Sequence, residues 1–90
     1  MGGRSFVLLL KRVLYYHETG EILAQIKRYD EAVKAFEEAI EINPNLFEVW
    51  YKKGIALYFL GKYDNAVMSF DNALILKPEY YEILNIKAWL

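Results

Sequence analysis

Along most of the chain, apolar residues recur three and four positions apart, the spacing that predicts amphipathic helices. In "FEVWYKKGIALYFL", residues 47–60, Phe47, Trp50, Gly54 and Leu57 fall on one helical stripe. The stretch "VLYYHETGEILAQI", residues 13–26, has the same character. Each is followed by a short break, "KRYD" or "GKYD", and then by a second helical stretch carrying Ala32-Phe36-Ala39 or Ala66-Phe70-Ala73. Asp30 and Asp64 are placed to cap those second helices, since a side-chain oxygen there accepts from the unpaired N–H groups of the first turn. Pro44 and Pro78 end them, because Asn43 and Lys77 just ahead are pushed out of the helical region. The pattern predicts two helix–turn–helix hairpins in tandem.

The second hairpin is a copy of the first. Laying residues 13–46 over 47–80 gives nine identities at an offset of 34: Gly20/Gly54, Leu23/Leu57, Tyr29/Tyr63, Asp30/Asp64, Ala32/Ala66, Val33/Val67, Phe36/Phe70, Ala39/Ala73 and Pro44/Pro78. A fixed period of this size marks stacked supersecondary units. A glycine inside a helix costs about 1 kcal/mol relative to alanine. At Gly54 the compensating gain is close approach: glycine on the first helix and two alanines on the second let the backbones draw together, with phenylalanine filling the space beside them.

Trp50, Gly54, Leu57, Gly61, Tyr63, Ala66, Phe70, Ala73 and Pro78 resemble the tetratricopeptide repeat. In the first unit Tyr16 stands in the tryptophan place and Lys27 replaces the turn glycine, while Gly20, Tyr29, Ala32, Phe36, Ala39 and Pro44 agree. The leucine usual before the helix glycine is replaced by Thr19 and Lys53. The resemblance implies an all-α fold, an α-solenoid of antiparallel helix–turn–helix hairpins wound as a right-handed superhelix. It divides a single domain, 1–90, into repeat one at 13–46, repeat two at 47–80, and the first helix of an incomplete third repeat at 81–90. Residues 1–12 are an N-terminal extension that lengthens the first helix from Phe6 onward or folds over it as a cap. The RNA-reading pentatricopeptide relatives would call for a basic array, and none is present.

The resemblance further implies that first helices line a concave groove that holds an extended or helical segment of a partner protein. Carried onto this chain, the groove residues are His17, Glu18, Glu21, Tyr51, Lys52, Ile55, Tyr58, Phe59, Ile86 and Trp89, with some of the apolar ones, Tyr58 and Ile86 above all, equally readable as core. One well-understood groove chemistry of the family is a clamp of Lys, Asn and Arg on the C-terminal carboxylate of heat-shock chaperones. The corresponding places here are His17, Glu21, Lys52, Glu82 and Ile86, of which only Lys52 is cationic at neutral pH. A carboxylate brought beside Glu21 and Glu82 would be repelled. A chaperone tail is therefore not the expected partner.

Composition narrows the remaining chemistry. Eleven Lys plus Arg against twelve Asp plus Glu leave no net field that would recommend nucleic acid or an anionic membrane. There is no cysteine, so disulfides and thiolate sites are excluded. The apolar run Phe6–Leu10 is too short for a secretory core or a spanning segment, and a cytoplasmic location is the expectation. His17 and Glu21, four apart, share a helix face, but two ligands without a third do not make a metal site. No cofactor, metal or catalytic grouping is expected, and the chain reads as a non-catalytic interaction module.

Its outward surfaces point to association. Where repeat one has Lys34 and Glu41, repeat two has Met68 and Ile75, seven apart on one stripe. The last stretch, "YEILNIKAWL", is apolar on several sides, with Leu84 in the tryptophan place and Ala88 in the helix-glycine place. An apolar terminal repeat needs cover, because interior units bury one face against a neighbour. A longer array, a dedicated partner or self-association would each supply it; the last is preferred, with Met68, Ile75, Leu84, Trp89 and Leu90 expected to support a homodimer or higher assembly.

Overall fold

The computed structural model describes residues 2–80 and Ile83, and all its regular structure is helical. Four helices follow in order: α1 Gly2–Gln25, α2 Tyr29–Ile42, α3 Phe47–Phe59 and α4 Tyr63–Leu76. Helices α1 and α2 form one hairpin, α3 and α4 the second, and α2 packs on α3 to join them, while α1 and α3 meet only lightly. This is the nearest-neighbour stacking of a helical-repeat solenoid.

The core runs along the seam of each hairpin and through the joint between them. Ala32, Phe36 and Ala39 of α2 and their counterparts Ala66, Phe70 and Ala73 of α4 are fully shielded from solvent. Val49, Ala56 and Leu57 of α3 belong to the same cluster, as does Ile83 beyond α4. Phe36 lies directly on Gly20, and Phe70 on Gly54: a Cβ added at either glycine would stand 2.5 Å from the ring's Cε1. Close approach is thus made by the phenylalanine ring covering the glycine itself, in both hairpins.

The two turns share one geometry. After α3, Gly61 takes φ +79°, its N–H donates to Tyr58 O, and the Lys62 N–H donates to Leu57 O. These are the paired bonds of a Schellman cap. After α1 the same bonds form at Lys27 and Arg28, whose N–H groups donate to Ala24 O and Leu23 O. Lys27 must therefore adopt φ +66°, a conformation that costs a residue with a Cβ about 1–2 kcal/mol.

That turn also explains why Asp30 and Asp64 are not the caps. The Schellman bonds turn the chain straight into the next helix, so α2 starts at Tyr29 and α4 at Tyr63, with Arg28 and Lys62 as cap residues lacking a side-chain bond. Ala32 N–H already donates to Arg28 O, and Ala66 N–H to Lys62 O. Asp30 falls inside the first turn and its Oδ1 accepts from Glu31 N–H. There its charge still favours the positive end of the helix dipole. The C-terminal stops are as expected: α2 ends at Ile42 with Asn43 extended, and α4 at Leu76 with Lys77 at φ −143°.

Helix α1 is the longest of the four. It carries the extension from Gly2 without interruption into repeat one, and every residue from Ser5 to Arg12 is exposed.

Candidate functional site

The four helices set the inner faces of α1 and α3 side by side, with the α2 seam behind them. Between them opens a cavity of about 170 Å³ lined by Glu21, Ala24, Gln25, Tyr29, Phe36, Lys52, Ile55 and Ala56. Its floor is apolar, from Ala24, Phe36, Ile55 and Ala56. Its rim is polar, from Glu21, Gln25 and Lys52.

Charge on the rim is already matched. Lys52 Nζ lies 2.9 Å from Glu21 Oε2, an ion pair that ties α3 to α1 across the groove. His17 Nε2 is 3.0 Å from Glu21 Oε1, four residues along the same helix. It stands off the hydrogen-bonding direction, which leaves this shielded nitrogen without an aligned partner. The imidazole ring packs toward Phe36, centroids 6.5 Å apart. Glu21 therefore stands between the groove's only two basic candidates, His17 and Lys52, among the described residues. A ligand carboxylate reaching Lys52 would have to displace Glu21 from it. Among the described residues no three acidic or histidine side chains converge.

Of the other residues expected in the groove, Glu18 is exposed on α1, outside the cavity. Tyr51 and Ile55 are half-buried and pack against the core. Tyr51 stacks with Phe47 and meets Tyr80 edge-on at 5.4 Å, so it supports the second repeat, and it is not among the residues that line the cavity. Tyr58 and Phe59 are exposed at the C-terminal end of α3. Phe59 stacks on Tyr29 at 5.0 Å and 14°, and Tyr58 packs on Tyr63 at 5.6 Å. Ile86 and Trp89 lie outside the described residues.

Tyr29 is absent from the expected groove residues, yet it lines the cavity and joins the two repeats through Phe59. A signal for it exists: Tyr29 and Tyr63 are identical between repeats, and an aromatic at the first position of a helix reaches back over the preceding turn. Ala24 and Gln25 also line the cavity, beside Glu21 on the last turns of α1.

The opposite side of α3 has a shallow depression of about 370 Å³ bordered by Glu37, Trp50, Lys53, Leu57, Asn65, Met68, Ser69 and Asn72. It is internally satisfied. Lys53 pairs with Glu37 at 3.3 Å and sits 5.3 Å from the Trp50 ring, while the Trp50 indole N–H donates to Pro44 O at 2.7 Å. Met68 and Ile75 project from α4 into solvent, 63% and 75% exposed. Leu84, Trp89 and Leu90, the other residues expected to support self-association, lie outside the described residues. No described helix is long and apolar enough to cross a membrane.

Two family models match the chain: "TPR repeat" over residues 20–61 and "Tetratricopeptide repeat" over 47–80. An uncharacterized protein of Methanocaldococcus jannaschii, MJ0572, is 33% identical over 52 residues, 58% of this chain and 60% of its own. Among solved structures, a mutant of MamA superposes with a TM-score of 0.81 at 34% identity, over 86% of this chain and 56% of that one. The structure of MamA MSR-1 C2 gives 0.81 at 32% identity, over 86% of this chain and 44% of that one. The chain thus spans about half the length of these relatives.

Proposed function

The chain belongs to the tetratricopeptide repeat family, and from that premise we propose that it is a non-catalytic protein-interaction module that receives an apolar or helical segment of a partner between α1 and α3. The observation that carries this reading is the cavity of about 170 Å³ with an apolar floor and a self-neutralised Glu21–Lys52 rim. A floor of this kind accepts one or two apolar side chains from a helix laid along the groove, at the i, i+3, i+4 spacing such grooves read. Because Glu21 already neutralises Lys52, the two charged residues that line the cavity among the described residues offer neither a free cation for an acidic tail nor a free anion for a basic one. Phe59 and Tyr58, exposed at one end, supply aromatic area of the kind enriched at binding hot spots.

Selection of displayed helical peptides on the folded protein tests the reading. Recovered binders are expected to carry an apolar anchor at helical spacing and to lose at least tenfold in affinity to an Ile55→Glu variant whose circular dichroism matches wild type. Binders indifferent to Ile55→Glu would place recognition elsewhere and sink the groove assignment.

A second reading, a structural unit that assembles with itself, is favoured by the exposed Met68 and Ile75 stripe on α4. Replacing both with Lys is expected to lower the association state in light scattering if that stripe is the contact, and to leave it unchanged if it is not.

A further inference from the structure

One face that α1 exposes has a covered counterpart in α3. On α3, Val49 and Ala56 lie on the side that sends Lys53 to Glu37 of α2, and they are 0% and 1% exposed. Shifted back by 34 residues, these positions are Tyr15 and Ile22 of α1, which are 63% and 58% exposed. Leu8 and Ile26 extend the same stripe and are exposed as well. Leu8, Tyr15 and Ile22 are seven apart, so they stay in line over two turns per step, the spacing of a coiled-coil seam. Leu8, Tyr15 and Ile22 are not among the residues that line the groove cavity, although the line through Lys11 and Glu18 continues, seven further on, to Gln25 on its rim.

Charge selects the occupant. Lys11 and Glu18 flank the seam on one and the same side, again seven apart, and neither has an ion-pair partner among the described residues. In an antiparallel helix pair like flanks face each other. A second α1 laid antiparallel on the first with Tyr15 at the two-fold axis sets Leu8 against Ile22 of the second copy and Lys11 against its Glu18. Symmetry repeats both contacts. A surface that is its own complement in shape and charge is an isologous one.

We propose that this face is a homodimer contact: two copies pair antiparallel through α1, with Tyr15 at the dyad and Lys11–Glu18 ion pairs on either side of it. The proposal concerns residues outside the cavity lining, and stands whether or not the groove binds a helix.

Charge reversal tests both the partner and its orientation by sedimentation equilibrium on the full chain. Lys11→Glu and Glu18→Lys are each expected to weaken the wild-type dimer at least tenfold. An equimolar mixture of the two should form a heterodimer, because the first variant then carries two carboxylates along the seam and the second two ammonium groups. Each carboxylate faces an ammonium group of the other copy. Tyr15→Glu should leave only monomer, whereas Met68→Glu should leave the dimer intact. A monomeric wild type, or single variants that do not recover on mixing, would overturn the proposal. So would dissociation by Met68→Glu with Tyr15→Glu still dimeric, since that would assign the contact to α4. Tyr15→Cys, which introduces the sole cysteine of the chain, adds a covalent readout. It should cross-link under mild oxidation and Met68→Cys should not; the reverse order would contradict the antiparallel dyad.

Discussion

Repeat one and repeat two have almost the same interior and different exteriors. Behind the helices, Gly20 under Phe36 and Gly54 under Phe70 reproduce each other to the same contact distances. On the outside, Lys34 and Glu41 become Met68 and Ile75, while the shielded Val49 and Ala56 of α3 correspond to the bare Tyr15 and Ile22 of α1. The buried half of a repeat answers to geometry, so both copies converge on one solution. The outer half answers to whatever it meets, and there the copies diverge. Function is to be sought where the repeat fails to repeat.

Both hairpins are disrupted most severely at their phenylalanines. Phe36→Ala and Phe70→Ala each remove a fully buried ring, at a cost of about 3–5 kcal/mol. That is a large share of the stability of a domain of this size, and urea denaturation should show both variants losing their cooperative transition. If the repeats are energetically equivalent, the two losses agree; a much smaller loss at Phe36 would mean that repeat one is held mainly through α3.

The glycines come next. Gly54→Ala gains about 1 kcal/mol of helix propensity but drives a Cβ to 2.5 Å from Phe70. Overpacking of this kind costs about 1–3 kcal/mol, so a net loss is expected at either glycine. Adding Phe70→Leu to Gly54→Ala should make the second substitution cheaper than it is alone, and strictly additive losses would show that the ring is not what the alanine meets.

The turns differ at the left-handed position, where a substitution should act in the stabilising direction. Lys27 holds φ +66° where its counterpart is Gly61 at φ +79°. Lys27→Gly is expected to raise the unfolding free energy by about 1 kcal/mol, and Gly61→Ala to lower it by a similar amount. A Lys27→Gly that destabilises would mean that the lysine side chain makes a compensating contact in that turn.

Smallest is the ion pair across the groove. Lys52 and Glu21 are each about a third exposed, so Lys52→Met should change stability by less than about 1 kcal/mol. The same change removes the charge that holds Glu21, and should therefore alter which peptides the groove accepts more than it alters folding.

Much of this architecture is legible in the chain, for reasons that separate cleanly. The glycine–phenylalanine seam and the proline stops are covalent and steric necessities, and they leave identities at a fixed period. The caps are not legible, because an aspartate two residues after a turn looks like an N-cap; only the backbone bonds at Lys27 and Arg28 show that the helix has already begun. The identity of Tyr29 with Tyr63 singles it out in the chain but does not tell a scaffold residue from a cavity residue; its stack on Phe59 and its place in the cavity lining do. The bare face of α1 is hidden for the opposite reason. Tyr15 and Ile22 are apolar like Val49 and Ala56, so the sequence pattern does not separate them, and burial alone tells them apart.

The claim that the exterior between α1 and α3 is where a partner binds is tested most directly by amide chemical-shift mapping with a selected helical peptide. Saturable shifts are expected to concentrate at Glu21, Gln25, Tyr29, Lys52 and Ile55, and to leave Met68 and Ile75 unmoved. Shifts centred on α4 with a silent groove would contradict it.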